Sequence, residues 1–430
     1  MNVGTVLWMS QQLGVTMTKR RDALAARREA LGFTQETFAQ ELGVELSTVG
    51  RWERGVLTPQ PWRRSNVAKV LKLSLEELDS LLNPAPPSRA GHSLVTRREA
   101  MVDVGLLSSA VIAGDVLDKH DAYSPLVGTD SPAPSGTVEG ISSLVAGVHR
   151  AYQAARYGEV ARQLPSVTSA VQALMTEGAA KDRRQASGLQ CSVFIAAAKL
   201  AIKVGNAEAG WAAAEQAQVA AEAAEDVWGQ AAAAHQRTCA LLRAGLGEDA
   251  EHVAVVAADG LRGSDPQSVT WRGALTLISA IIAARRNDTV EARRRLDHAD
   301  VLAQRLGTDA NIGWTAFGPT NVQIHRVSAA IALGDPYGAL ATAERVDIAT
   351  LPVGLHGRQA QFHLDSSWAH AQLGEDPQAV IHLLDTERVA PELIGANPSA
   401  RALIQDLLTR EHRRAVPGLR GLALRAGVAT

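Results

Sequence analysis

Alanine-rich helical stretches, broken at an almost even spacing, constrain the fold of this chain more than any other feature. Breaks followed by a fresh helix occur at Gly205-Asn206-Ala207, Gly247-Glu248-Asp249, Asn287-Asp288-Thr289, Gly334-Asp335-Pro336 and Gly374-Glu375-Asp376-Pro377, in steps of 42, 40, 47 and 40 residues. Each has the chemistry of a tight turn. Glycine or asparagine takes the left-handed conformation that ends a helix, and the acidic residue complements the dipole of the next one. Pro336 and Pro377 suit a first helical turn. One helical hairpin cannot bury its apolar face alone, whereas stacked hairpins can. The spacing therefore predicts an α-solenoid with a concave inner face over about residues 139–412, the other possibility being an irregular helical bundle. Aromatic residues make up only 4% of the chain, which further disfavours an all-β fold.

The remaining organisation follows from punctuation and charge. Residues 1–17 read as a disordered extension, with Met9 and Met17 as alternative starts, and no secretory signal is expected there. Residues 18–82 are dense in helical signals. Residues 83–138 read as a linker, proline-rich near each end, around a connecting helix at about 97–117, and residues 413–430 as a tail. Residues 1–98 carry 14 Lys and Arg against 9 Asp and Glu, a net +5; the remainder carries 29 against 36, a net −7. A basic head on an acidic body points to nucleic acid as a partner of the head. No membrane span is expected, since the apolar run 101–117 is interrupted by Asp103 and Asp115. Cys191 and Cys239 are too few for a disulfide framework or a zinc site and read as buried small side chains.

Within the head, Gly32 to Gly55 carries the densest local signal. Thr34 can cap a short helix in which Phe38, Ala39 and Leu42 form one apolar face. Gly43 ends it, Val44 plugs the turn, and a second helix from about Leu46 to Arg54 turns Val49 and Trp52 inward. Ser47, Thr48, Gly50 and Arg51 are left to face outward, which makes a helix-turn-helix.

This stretch resembles the Xre/Cro family of phage-repressor-like DNA-binding domains. The resemblance lies in Thr34-Gln35-Glu36, Ala39, Leu42-Gly43-Val44, Ser47-Thr48-Val49 and Arg51-Trp52-Glu53-Arg54-Gly55, and extends over about residues 18–82. It implies a five-helix, lambda-repressor-like bundle. In it Gln35 buttresses a phosphate or the recognition helix, Leu46, Ser47, Thr48 and Arg51 approach base edges, and Arg54 approaches the backbone. Arg51 is the candidate for bidentate contact to guanine, and Arg54, Arg63, Arg64 and Lys69 for phosphate contacts; each arginine can also be read as an ordinary solvated charge. Two departures stand out. Glu45 occupies a position where the family commonly has a better cap, and Leu46, often polar in the family, either meets a thymine methyl or packs. The resemblance also implies a homodimer on two half-sites of double-stranded DNA.

The body resembles tetratricopeptide repeats through fragments such as residues 151–158 and 368–374, although its period is near 40 rather than 34. The expected fold is thus all-α: a five-helix DNA-binding domain followed by a solenoid of tetratricopeptide-like hairpins. That architecture is similar to the peptide-pheromone-responsive regulators and to the repeat-bearing Xre-type regulators common in actinobacteria. It implies a cytoplasmic transcriptional regulator whose solenoid senses a peptide or small molecule, or alternatively serves as a constitutive protein-interaction scaffold. The stretch from Asn311 to Arg326 is the candidate inner surface: Asn321, Gln323, His325 and Arg326 can bond a peptide, and Trp314 and Phe317 can cover an apolar group. A long turn between repeats is the competing reading. No cofactor or metal is expected. His356, His363 and His370 share a helix face, but seven residues rise about 10 Å, too far to share one ion. The run Arg293-Arg294-Arg295 reads as a solvated face, and no enzyme motif is found.

Overall fold

The computed structural model describes residues 21–55, 57–82, 137–177, 182–411 and 416–428; the proposed extension and connecting helix lie outside them. The described residues are helical, with no strand among them. Packing divides the chain into two units: residues 1–95 with 405–419, and residues 96–404 with 420–430.

Residues 21–82 of the first unit form five short helices, α1 (Asp22–Ala30), α2 (Gln35–Leu42), α3 (Leu46–Glu53), α4 (Pro61–Val70) and α5 (Leu75–Leu82). Their ends follow the local chemistry. Thr34 caps α2, accepting from the Thr37 amide at 3.0 Å while Thr37 Oγ1 accepts from the Thr34 amide at 2.9 Å. Gly43 closes α2 at φ 60°, a conformation that a side chain would strain. Ser74 and Glu77 form a reciprocal capping box at the start of α5. The core is Leu24, Phe38, Ala39, Leu42, Val49, Trp52, Val67, Leu71, Leu78 and Leu82.

The second unit is a series of hairpins. Its inner helices are α6 (Val138–Gln153), α8 (Arg183–Lys203), α10 (Val227–Arg243), α12 (Pro266–Arg285), α14 (Pro319–Leu333) and α16 (His356–Leu373). They alternate with α7 (Tyr157–Glu177), α9 (Ala207–Ala223), α11 (Gly247–Gly260), α13 (Thr289–Leu306), α15 (Pro336–Ala343) and α17 (Asp376–Val389). Each inner helix packs on the next inner helix, and α16 returns to α6. At that closure Gly357 faces the Gln153 carbonyl, 3.4 Å from where a Cβ would stand. The solenoid thus completes one closed turn. Alanine makes this density possible: Ala196, Ala197, Ala213, Ala214, Ala217, Ala233 and Ala284 are all fully buried, so helix axes approach closely. On α8 the apolar residues are long enough to suggest a membrane span, yet two thirds of them are covered by neighbouring helices.

The expected turns form with one shift. Asn206, Asp288 and Asp335 cap the helices that follow them, and Gly205, Asn287, Gly334 and Gly374 take positive φ. In the second break the left-handed residue is Gly245, at φ 83°, and Gly247 is already the first residue of α11. Residues Leu419–Arg425 form a helix, because Leu419, Leu422, Ala423 and Ala426 recur at helical spacing and are buried.

Three histidines inside the second unit predict an acid sensitivity. Burial first, then the Lys199 charge, lowers His149 and His235 to about 3. Burial and Arg358 do the same to His325. An unfolded histidine protonates near 6.5, so the unfolded chain binds more protons in between, and stability falls as pH drops below 6.5. At pH 5 the fully buried His149 alone accounts for about 2 kcal/mol. Asp365, pushed up to about 6 by burial, acts with the opposite sign as one group against three. The melting temperature should fall steadily from pH 7 to pH 5, and His149→Phe should make that fall shallower.

Candidate nucleic-acid interface

Helix α3 is held by its inner face and by a buried polar knot. Val49 and Trp52 are in the core. Glu53, at the end of α3 and 6% exposed, accepts from Arg28 Nε of α1 at 2.6 Å and from Gln35 Nε2 of α2 at 2.6 Å. Arg28 also donates to the Phe33 carbonyl at 2.7 Å, and its bonds to Glu53 raise its pKa and keep it charged. One carboxylate therefore joins three helices. Arg21 adds a second tie, donating to the carbonyls of Leu82, Trp52 and Leu57. Arg27 closes the end of α4 through the Leu71 and Lys72 carbonyls.

With its inner face so fixed, α3 presents Ser47, Arg51 and Arg54 outward at positions i, i+4 and i+7, with Thr48 half-buried beside them. Leu46 is 49% exposed, so packing does not use it. Glu45 makes no side-chain cap bond, in line with the departure noted in the sequence. Gly50, expected on the outer face, is buried. The Arg54 guanidinium covers it, 3.1 Å from where a Cβ would stand.

The proposed phosphate contacts separate. Arg51, Arg54 and Lys69 are exposed. Arg64 is half-buried, bonded to the Pro59 carbonyl and paired with Asp79 at 3.1 Å. Arg63 is 6% exposed and its pKa is lowered by burial. A guanidinium so enclosed does not reach a phosphate, which corrects its assignment to the interface. The pairing of Arg28 with Glu53 is not legible in the sequence, because 25 residues separate the two.

The ligand candidates of the second unit are also redistributed. Between α13 and α14 the chain passes through a short 3-10 turn, Ile312–Trp314, with positive φ at Gly313, Trp314 and Ala316. Side chains hold this unusual backbone. Asn311 exchanges two hydrogen bonds with Gln153, at 2.7 and 2.6 Å, Trp314 stacks on His149, and Lys199 Nζ donates to the Trp314 carbonyl at 3.1 Å. Phe317 is fully buried over Gly273, where a Cβ would stand 2.0 Å from its ring. It is core and not a ligand cover. Asn321 is buried, with its backbone carbonyl bonded to His325 Nδ1 at 2.8 Å. Gln323 is half-buried, and Arg326 pairs outward with Asp297 at 2.9 Å. The six residues thus do not share one surface.

Other chemistry-bearing groups are accounted for by packing or geometry. Burial raises Cys191 to about 12 and Cys239 to about 11, far from a reactive thiolate. His363 and His370 are indeed apart along α16, but α17 brings His382 between them, with its ring 5.5 Å from that of His363 and 5.3 Å from that of His370. Ligand atoms of His363, His382 and Asp385 lie within 4.8 Å of one another, so these three are the set among the described residues that could hold an ion.

Against known proteins, the model of the helix-turn-helix family matches residues 24–78. An uncharacterized HTH-type transcriptional regulator of Bacillus subtilis (strain 168), YazB, is 38% identical over 66 residues, which is 15% of this chain and 87% of that protein. No solved structure matches the chain.

Two stability outcomes follow. Glu53→Ala should destabilise the first unit by about 3–5 kcal/mol in chemical denaturation, because it strands a buried Arg28. Phe317→Ala should cost the second unit about 3–5 kcal/mol, where loss of an exposed ligand cover would cost almost nothing.

Proposed function

We propose, for a chain that belongs through residues 24–78 to the helix-turn-helix family, a sequence-specific DNA-binding transcriptional regulator. The carrying observation is α3, anchored by Trp52 and Glu53 on one side and presenting Ser47, Arg51 and Arg54 on the other. In this reading α3 enters the major groove. Ser47, Thr48 and Arg51 meet base edges, with Arg51 bidentate to guanine and Leu46 available to a thymine methyl. Arg54, Lys69 and the partly engaged Arg64 meet phosphates. Gln35 acts through Glu53, positioning α3 rather than reading sequence. Binding as a homodimer to two half-sites would supply the affinity that one such unit lacks.

The second unit is read as the sensing part, taking a peptide or small molecule and shifting the balance between DNA-binding and non-binding arrangements by its differential affinity for them. A constitutive protein-interaction scaffold is the competing reading. It is favoured by the internal contacts of Trp314 with His149 and Lys199, through which the chain's own side chains occupy part of the proposed ligand stretch. The protein would act in the cytoplasm, on DNA, without catalysis of its own.

Gel-shift titration on the protein's own promoter region tests the interface. Arg51→Ala should weaken specific binding by about 1–3 kcal/mol and relax preference at one base pair, with an unchanged melting temperature. Lys69→Ala should weaken all sequences alike and lower the salt dependence by about one ion. Unchanged binding by Arg51→Ala would reject α3 as the reading helix.

A further inference from the structure

Two helices of the second unit place a mixed set of metal-ligand side chains at one spot. Helix α17 carries His382 and Asp385 three residues apart, hence on one face. Helix α16 packs against α17 and contributes His363. The Nδ1 atoms of His363 and His382 stand 3.2 Å apart, and with the carboxylate of Asp385 the three ligand atoms lie within 4.8 Å of one another. Around a tetrahedral ion with bonds of about 2.0–2.1 Å, neighbouring nitrogens stand about 3.3–3.4 Å apart. The two imidazole nitrogens are therefore spaced almost as two ligands of one zinc ion would be. The rise between His363 and His370 rules out an ion shared along α16, and the adjacent helix supplies the missing ligands.

The surroundings suit an ion as well. His363 is buried and His382 half-buried. Burial lowers the pKa of both, His382 to about 4 with the His363 and His370 rings adding to the effect. Both rings are therefore neutral near pH 7 and offer lone pairs. They meet nitrogen to nitrogen, and neither ring makes a further hydrogen bond among the described residues. Asp385 Oδ1 accepts from Arg388 Nε and Nη2 at 3.2 and 3.0 Å, which orients the carboxylate. The His382 ring is held by His370, stacked on it at 5.3 Å, and His370 is itself fixed by Glu375 at 2.7 Å. Imidazole with carboxylate is a donor set for zinc and its neighbours, whereas magnesium and calcium take oxygen. Three protein ligands leave a fourth position to water.

We propose that His363, His382 and Asp385 bind a divalent ion of the zinc class, which joins α16 to α17. The ion adds a tie across this hairpin that packing alone does not supply, so its binding free energy is also folding free energy. The site concerns this hairpin alone and does not depend on the second unit's being a sensor.

The test uses the full-length protein, stripped with chelator and returned to metal-free buffer, in calorimetric titration and thermal melting. Zinc chloride is compared with magnesium chloride of equal ionic strength. Zinc should bind saturably and raise the melting temperature by several degrees, and magnesium should do neither. Cobalt(II) in place of zinc should give the strong visible absorption of a four-coordinate ion without a thiolate charge-transfer band, which separates this site from Cys191 and Cys239. His363→Gln, His382→Gln and Asp385→Asn should each weaken zinc binding by about tenfold or more and reduce the cobalt absorption. His356→Gln, at the exposed start of α16, should bind as the parent does. In chelator, His382→Gln and Asp385→Asn should melt close to the parent, which separates a lost site from a lost fold. The site is overturned if zinc does no more than magnesium, if His382→Gln and Asp385→Asn bind zinc like the parent, or if His356→Gln alone abolishes binding. Cobalt absorption that carries a thiolate band and survives all three ligand variants also rejects it.

Discussion

Close packing of small side chains is the constraint on which the larger unit depends. Each inner helix must touch two inner neighbours as well as its own hairpin partner. Buried alanines on α8, α9, α10 and α12 allow this, and Gly273 lets Phe317 lie directly on the α12 backbone. Larger residues would hold the helices apart and the sixth inner helix would miss the first. Closure creates an inside, where Trp314 stacks on His149 and Lys199 donates to the Trp314 carbonyl.

The smaller unit solves a different problem. A short helix such as α3 has too little surface to be fixed by apolar contact alone. Val49 and Trp52 supply what apolar contact there is. The Glu53 carboxylate, shared by Arg28 and Gln35, sets where the helix points. Such a knot is costly to break and specific in geometry. It leaves the opposite face of α3 free of structural duty, so Ser47 and Arg51 remain available for a partner.

Much of this was legible in the chain. Thr34, Gly43 and the triad Phe38, Ala39 and Leu42 mark the turn between α2 and α3 by local rules alone, and the even spacing of breaks announces the hairpins. What could not be read was which charged residues were surface. Arg63 and Arg51 look alike in sequence, yet one is buried and one exposed. Phe317 and Trp314 look like a ligand platform, yet the first fills the core and the second stacks on His149. His382 joins the histidines of α16 only because α17 folds back along it.

The amino-acid order by itself determined where helices begin and end, that they pair into hairpins, and that a helix-turn-helix lies between residues 32 and 55. Caps, left-handed glycines and apolar periodicity act within a few residues, so they are written locally. Tertiary structure alone decided that the hairpins close into a turn and that Glu53 ties three helices. Those outcomes depend on residues up to about two hundred positions apart, brought together only when many small packing preferences are satisfied at once. The divided net charge belongs to both levels. The chain shows a basic head and an acidic body, and folding buries Arg28 and Arg63 of the head.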